Sequence, residues 1–203
     1  GSVEATENPY FSPHQPFVGN PDDPDAEGYN AGLGTEWFGD LLATEASDYI
    51  AKQKADLPFF LMVAFSAPHA ALQASPSAIE MYDGVFPESP YRSPRYLSRR
   101  NPRAVFAAMI SQTDRNVEQI ISALEANGLA ENTLIIFTSD NGPAQEGGED
   151  VAFFNAAGGL RGIKRDLYEG GIRVPMIIRW DRIIKGGQVS GHVAAIWDIM
   201  PTL

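Results

Sequence analysis

The chain has 203 residues, of which 44% are hydrophobic and 20% charged, and its formal net charge is −11. This composition is ordinary for a globular domain or a large part of one, and no apolar run approaches the roughly 20 residues that a membrane span needs. The acidic balance argues against a nucleic-acid partner, because phosphate backbones are bound by basic surfaces. The absence of cysteine excludes disulfides, thiolate metal sites and a cysteine nucleophile within these residues.

The N-terminal segment, residues 1–34, contains many Pro, Gly, Asn and Asp residues and shows no sustained helix or strand period. This pattern predicts an irregular loop. We expect the chain to be truncated at both ends. The pair Gly1–Ser2 is typical of a vector-derived start, and the last residues, Trp197–Leu203, end without a polar tail.

Two stretches have the spacing of amphipathic helices. Apolar residues recur every three or four positions over residues 36–54. A longer apolar stripe runs over residues 103–127 and ends at Asn127-Gly128, a typical helix stop.

Apolar runs predict the strands. Residues 59–65, 134–138 and 174–180 are short, rich in branched or aromatic side chains, and bounded by polar or Gly/Pro residues, and residues 189–196 could form another strand. Runs that are apolar on both faces are typical of buried parallel strands. Together with the helix that precedes residues 134–138, they predict an α/β fold with a mostly parallel sheet and helices on both faces.

Polar residues lie in the loops that adjoin these segments: His69 after 59–65, Asp140 with Asn141 after 134–138, and Lys164 in the Gly-rich loop before 174–180. In parallel sheets such residues would meet at one edge, where ligands bind. An adjacent carboxylate and carboxamide suit Ca²⁺ or Mg²⁺, and a lysine suits a sulfate or phosphate oxygen. The residues alone indicate metal-assisted hydrolysis of an anionic ester. They are also compatible with a simple turn at Asp140, a structural histidine and a solvated lysine.

A cluster of positive charge stands out in the acidic chain. It consists of five arginines in a proline-rich segment: Arg92, Arg95, Arg99, Arg100 and Arg103. We interpret them as solvated surface, with substrate binding as the alternative.

From about Thr35 onward, the order of motifs resembles the type I sulfatases of the alkaline phosphatase superfamily. The matching segments are PFFLMVAFSAPH, AAMISQTDRNVEQIISALEANGLAENTLIIFTSDNG, GGLRGIKRDLYEGGIRVPMIIRW and WDIMPTL. The resemblance implies a partial sulfatase catalytic domain over residues 1–203, with residues 35–203 as the core of the match.

The resemblance also implies roles for single residues. Asp140 and Asn141 match the family's metal pair, which helps to hold one divalent cation, usually Ca²⁺, with Mg²⁺ as the alternative. Lys164 matches the lysine that contacts the substrate sulfate, and His69 matches the histidine that binds the sulfate and assists the leaving group. The implied substrate is a small-molecule or glycan sulfate ester. The implied location is outside the cytoplasm, either exported or lysosomal.

The family's nucleophile has no match in this chain. It is a formylglycine made from Cys or Ser in a Cys/Ser-x-Pro/Ala-x-Arg motif. The chain has no cysteine, and Ser12, Ser75 and Ser93 are each followed by proline one place too early. We therefore expect the nucleophile to lie upstream and the segment alone to be inactive. A further departure is Ala71, where the family often has proline after PH-x.

Two other functions stay open at this point. A phosphonate or phosphodiester hydrolase of the same superfamily would share Asp140, Asn141 and much of the fold. A non-catalytic sulfatase-like binding module would keep the fold without turnover. The oligomeric state is not indicated by the sequence.

Overall fold

The computed structural model describes residues 11–12, 36–92, 96 and 98–203. The helices are α1 (Phe38–Ile50), α2 (Pro76–Glu80), α3 (Pro102–Ala126), α4 (Glu169–Ile172) and α5 (Ile199–Thr202), with 3₁₀ turns at Ala130–Asn132 and Ile196–Asp198. The strands are β1 (Phe11–Ser12), β2 (Glu36–Trp37), β3 (Ile135–Thr138) and β4 (Met176–Arg179). None of the helices in the described ranges has the length and apolar character needed to cross a bilayer.

The two predicted helices are confirmed. The helix predicted at 36–54 is α1, which is shorter at both ends, and the helix predicted at 103–127 matches α3 to within one residue. Pro102 occupies the first turn of α3, where its missing N–H has no helical partner to lose. Gly128 follows the helix with a φ of 68°, the left-handed conformation that glycine adopts at little cost.

The main core lies between α1, α2 and α3. Its fully or nearly buried side chains are Trp37, Leu72, Ala74, Ala78, Val105, Ala108 and Met109. The buried Gln112 of α3 connects the three helices, because its Nε2 donates to Asp40 Oδ2 at 3.0 Å and its Oε1 accepts from the Ser75 N–H at 3.1 Å. Ser75 caps α2 in turn, accepting from the Ala78 N–H at 3.4 Å. This core holds the loop that follows residue 69.

A second core cluster lies at the other end of α1 and α3. Ile50, Leu124, Leu129 and Ala130 are buried, and Phe59, Leu61 and Ile135 pack against them. It therefore anchors the start of β3 and the segment that leads to His69.

The strand predicted at 59–65 is wrong. This segment belongs to no hydrogen-bonded ladder among the described residues, and its side chains alternate between partly buried and exposed. Phe59 and Leu61 face the second cluster, whereas Phe60 and Met62 are 75% and 76% exposed. The apolar run predicted two buried faces, but only one face has a packing partner here. No strand is described at residues 189–196 either, where the only regular structure is the start of the 3₁₀ turn.

The mostly parallel sheet is not confirmed. Strands β3 and β4 pair antiparallel, with Ile135 opposite Arg179 and Thr138 opposite Met176, and the described strands β1 and β2 also pair antiparallel. A parallel pair needs a crossover connection, usually a helix. Here β4 begins beside the residue at which β3 ends. Thr138, the last residue of β3, donates from Oγ1 to the carbonyl of Pro175, which directly precedes β4, at 3.0 Å. The chain therefore returns alongside β3 in the opposite direction.

The N-terminal segment is described only at β1. The pairing of Phe11–Ser12 with Glu36–Trp37 differs from the irregular loop predicted for residues 1–34. The other residues of that prediction, and Ser93 and Arg95, lie outside the described part of the chain.

Candidate functional site

The loop after β3 presents the predicted metal pair. Asp140 is exposed and Asn141 is half-buried. The Asn141 Nδ2 donates to the Gly142 carbonyl at 2.9 Å, and Ser139 Oγ donates to the Asn141 carbonyl at 3.1 Å. The first bond orients the Asn141 side-chain amide, so its Oδ1 remains an acceptor, and the second holds the Asn141 backbone. The loop thus offers an amide oxygen next to a carboxylate.

Backbone hydrogen bonds join this loop to the loop that contains Lys164. The Lys164 N–H donates to the Pro143 carbonyl at 2.8 Å, and the Gly142 N–H donates to the Gly171 carbonyl at 2.9 Å. The Gly170 N–H donates to the Arg161 carbonyl at 2.7 Å. The segments around Asp140, Lys164 and α4 therefore form one interlocked unit.

Glycines make the close packing of this unit possible. A Cβ atom added to Gly142 would lie 1.9 Å from the Gly170 carbonyl oxygen, and one added to Gly170 would lie 2.1 Å from the Gly162 carbonyl oxygen. At Gly171 it would lie 2.3 Å from the Asp166 carbonyl oxygen. Each distance is far below van der Waals contact, so only glycine fits without a backbone shift. The EGG sequence at the start of α4 is needed for packing beside the site.

His69 lies on the turn that precedes the buried Ala70 and lines the same cavity as Lys164. It is exposed, and its Nδ1 lies 2.6 Å from the Ala70 carbonyl oxygen. Because a carbonyl can only accept, this contact assigns a proton to Nδ1. The Ser66 carbonyl accepts from the His69 backbone N–H at 3.0 Å, which holds the turn that contains the residue.

His69, Asp140, Asn141 and Lys164 line one open cleft. This cavity is large and extends over much of the described chain. Within it, the loop after β3 and the Lys164 loop are adjacent because their backbones are hydrogen-bonded, and not because parallel strands end side by side.

The sequence reasoning missed two carboxylates near these residues. Glu146 accepts from Tyr96 Oη at 3.2 Å and is ion-paired with Arg165. The hydrogen bond from Arg165 lowers the pKa of Glu146 below its usual range. Glu149 lines the cleft with Lys164, and burial raises its pKa to about 8. The only signal in the sequence was a pair of glutamates flanking Gly147-Gly148, within a loop read as Gly-rich.

The arginine cluster divides into different roles. Arg99 is buried, and its Nε donates to the Leu72 carbonyl at 2.6 Å. Arg103 pairs with Asp150 at 2.7 Å and stacks over the Phe153 ring at 4.0 Å. Both are structural, whereas Arg92 and Arg100 are exposed, as expected for solvated surface.

The described residues would supply only part of the predicted metal site. Nowhere in the described ranges do three or more His, Cys, Asp or Glu side chains gather as they would around an ion. Asp140 and Asn141 are hard oxygen donors, which fits Ca²⁺ or Mg²⁺, but Ca²⁺ takes about six to eight oxygen ligands. The donor types fit a hard cation, and further ligands would have to complete the shell.

The sequence matches the family described as Sulfatase over residues 7–203, nearly the whole chain. The chain belongs to the sulfatase family. Among curated proteins, this sulfatase chain is 30% identical to steryl-sulfatase of Rattus norvegicus over 164 residues, which is 80% of the chain and 25% of that protein. It is 32% identical to a sulfatase of Formosa agariphila over 181 residues, covering 83% of the chain and 29% of that protein.

A solved structure is similar to this chain in both sequence and fold. The chain superposes on Ps i-CgsB in complex with k-i-k-neocarrahexaose with a TM-score of 0.66 and 30% identity. The match covers 84% of this chain and 34% of that one. This sulfatase chain thus spans about a quarter to a third of the length of these relatives. The chain thus shares its fold with this solved neighbour, although the sheets in the described residues have only two strands each.

Proposed function

We propose that the protein is a sulfuric ester hydrolase whose cleft binds the sulfate group between Lys164 and His69. The observation that supports this most directly is that four family-matched residues line one cleft, with the Lys164 backbone hydrogen-bonded to the loop of Asp140 and Asn141. The chain as a whole has a net charge of −11, so an anionic ester needs local positive charge to bind.

Lys164 would supply that charge. Its ammonium group is a compact point charge with three donors, suited to sulfate oxygens. The hydrogen bond from its backbone N–H to the Pro143 carbonyl holds the Lys164 backbone next to the loop that contains Asp140 and Asn141. Charge that develops on the sulfate during hydrolysis would then be stabilised by a group that is already in place.

His69 would bind the ester and protonate the leaving alcohol. In the imidazolium form both ring nitrogens donate, Nδ1 to the Ala70 carbonyl and Nε2 to the leaving oxygen. The Ala70 contact orients the ring without using Nε2.

Asp140 and Asn141 would hold one divalent cation, most suitably Ca²⁺, with Mg²⁺ as the alternative. When bound, such a cation supplies charge stabilisation for sulfate oxygens. The nucleophile in this proposal is a formylglycine outside the segment, since the chain contains no cysteine and the proline after Ser12, Ser75 and Ser93 comes one place too early for the family motif. We accordingly propose that these 203 residues alone do not turn over a sulfate ester.

The proposed substrate class is a sulfate ester on a small molecule or a glycan. The glycan alternative is supported by the similarity to Ps i-CgsB, which was solved with a neocarrahexaose.

Replacing Lys164 by Ala is expected to weaken the binding of inorganic sulfate by roughly tenfold or more, the cost of losing a charged hydrogen-bond donor. Isothermal titration of the protein with sodium sulfate in the presence of CaCl₂, at constant ionic strength, measures the affinity. Lys185→Ala is the matched control, because Lys185 is exposed and lies outside the cleft. Equal affinities for wild type, Lys164→Ala and Lys185→Ala would contradict the proposed anion site.

A further inference from the structure

A tight turn at residues 146–149 is wedged against the segment that contains His69. The Glu149 N–H donates to the Glu146 carbonyl at 3.1 Å, and Gly147 and Gly148 have φ values of 63° and 99°. A Cβ atom on Gly147 would lie 2.4 Å from Ala70 Cβ, and one on Gly148 would lie 3.0 Å from Tyr91 Cβ. The turn therefore packs closely against the segment that contains His69, and Glu149 follows directly after it.

The acidic residues on either side of Glu149 already have partners. Asp150 accepts from Arg103 Nε at 3.1 Å, from Arg103 Nη2 at 2.7 Å and from the Phe153 N–H at 3.0 Å. Glu146 is engaged by Arg165 and Tyr96. In the described part of the chain, by contrast, no hydrogen bond or ion pair engages the Glu149 carboxyl group. This group is partly buried, lines the cleft and is available to a ligand.

The surroundings of Glu149 favour its neutral form. Burial is the main cause that raises its pKa to about 8, and the negative charge of Glu146 acts in the same direction. The positive charge of Lys164 opposes both. A neutral carboxyl group has an O–H donor, whereas the carboxylate only accepts.

We propose that Glu149 is a further anion-binding residue of the cleft, whose neutral carboxyl group donates a hydrogen bond to an oxygen of the bound sulfate group beside Lys164. This inference rests on the proposed function, because it adds a second donor to the same anion site. The ionised form of Glu149 would repel the sulfate, so the affinity for the anion falls as Glu149 loses its proton. Glu149 thereby sets the upper pH limit of anion binding.

Other charged groups also face this part of the cleft. Lys164, His69 and the Glu146–Arg165 pair with Tyr96 surround the turn. Sulfate itself remains a dianion over the pH range of interest. A comparison of variants that differ only at Glu149 therefore isolates its contribution, because the other groups are common to all of them.

The test is titration with sodium sulfate from pH 6 to pH 9 at constant ionic strength. The wild-type affinity is expected to fall by roughly tenfold across this range, the value of one hydrogen bond to a charged group. The Glu149→Gln variant keeps a donor that cannot ionise, so the fall in its affinity for sulfate between pH 7 and pH 9 is expected to be clearly smaller than that of the wild type. Glu131→Gln, at an exposed position outside the cleft, is the control and should follow the wild type.

The outcomes separate this inference from the proposed function. If Lys164→Ala weakens sulfate binding while Glu149→Gln keeps the wild-type pH dependence, the role of Glu149 is overturned and the anion site stands. If the wild type binds no sulfate at any pH, both are overturned. Thermal denaturation of each variant confirms that it is folded before titration.

Discussion

Gly142→Ala is expected to destabilise the protein by about 3 kcal/mol or more, which corresponds to a fall in Tm of roughly 6–12 °C for a chain of this size. The added methyl group would lie 1.9 Å from the Gly170 carbonyl oxygen, which is backbone and cannot rotate away. Relief of this clash would pull the loop after β3 from α4 and break the 2.9 Å hydrogen bond from the Gly142 N–H to the Gly171 carbonyl. Thermal denaturation followed by circular dichroism measures the effect.

Gly186→Ala provides the matched control for this substitution. A Cβ atom at Gly186 would have no atom within 4 Å, and its φ is not in the left-handed region. Its free energy of unfolding is expected to stay within about 0.5 kcal/mol of wild type. A Tm of Gly142→Ala within 2 °C of that of Gly186→Ala would correspond to a difference of only about 1 kcal/mol. Such a result would contradict the close packing of the site loops.

Asp140→Asn is expected to weaken Ca²⁺ binding by at least about tenfold, because it removes one of the few negative charges available to the cation while keeping the shape of the side chain. Ligand binding to the folded state raises Tm, so wild type should be stabilised by added CaCl₂ and the variant much less so. A thermal-shift titration with CaCl₂, repeated with MgCl₂, measures both the affinity and the preference between the two ions.

Asp83→Asn is the control for loss of an acidic side chain, since Asp83 is exposed and lies outside the cleft. Identical Ca²⁺-induced shifts for wild type, Asp140→Asn and Asp83→Asn would remove the metal-binding claim for Asp140.

The helices could be predicted because their signals are local. The apolar stripe of α3, the proline at its start and Asn127-Gly128 at its end all lie within one stretch of sequence. The segment 59–65 failed for the opposite reason. An apolar run shows that a segment can be buried on two faces, but it does not show whether neighbouring strands are present to pair with it.

The candidate site residues were predicted from family motifs. The way they come together was predicted from parallel strands, and that strand direction is wrong. Asp140 and Lys164 were expected to meet at the ends of parallel strands, whereas β3 and β4 are antiparallel. Their loops lie near each other because Gly142, Gly170 and Gly171 have no side chain, which allows the loop backbones to pack in direct contact. Such contacts depend on segments far apart in sequence. Glu149 was missed for the same reason, since only the folded chain shows that it shares a cleft with Lys164.

The most direct measurement of the central claim is the turnover of matched esters by the protein expressed from its full natural reading frame. We expect hydrolysis of an aryl sulfate, with kcat/KM higher than for the corresponding aryl phosphodiester or phosphonate, and at least tenfold loss on Lys164→Ala because a charge contact to the sulfate is removed. A higher kcat/KM for the phosphodiester or phosphonate, or no aryl sulfate turnover by a preparation that binds Ca²⁺ and sulfate, would contradict the sulfatase activity.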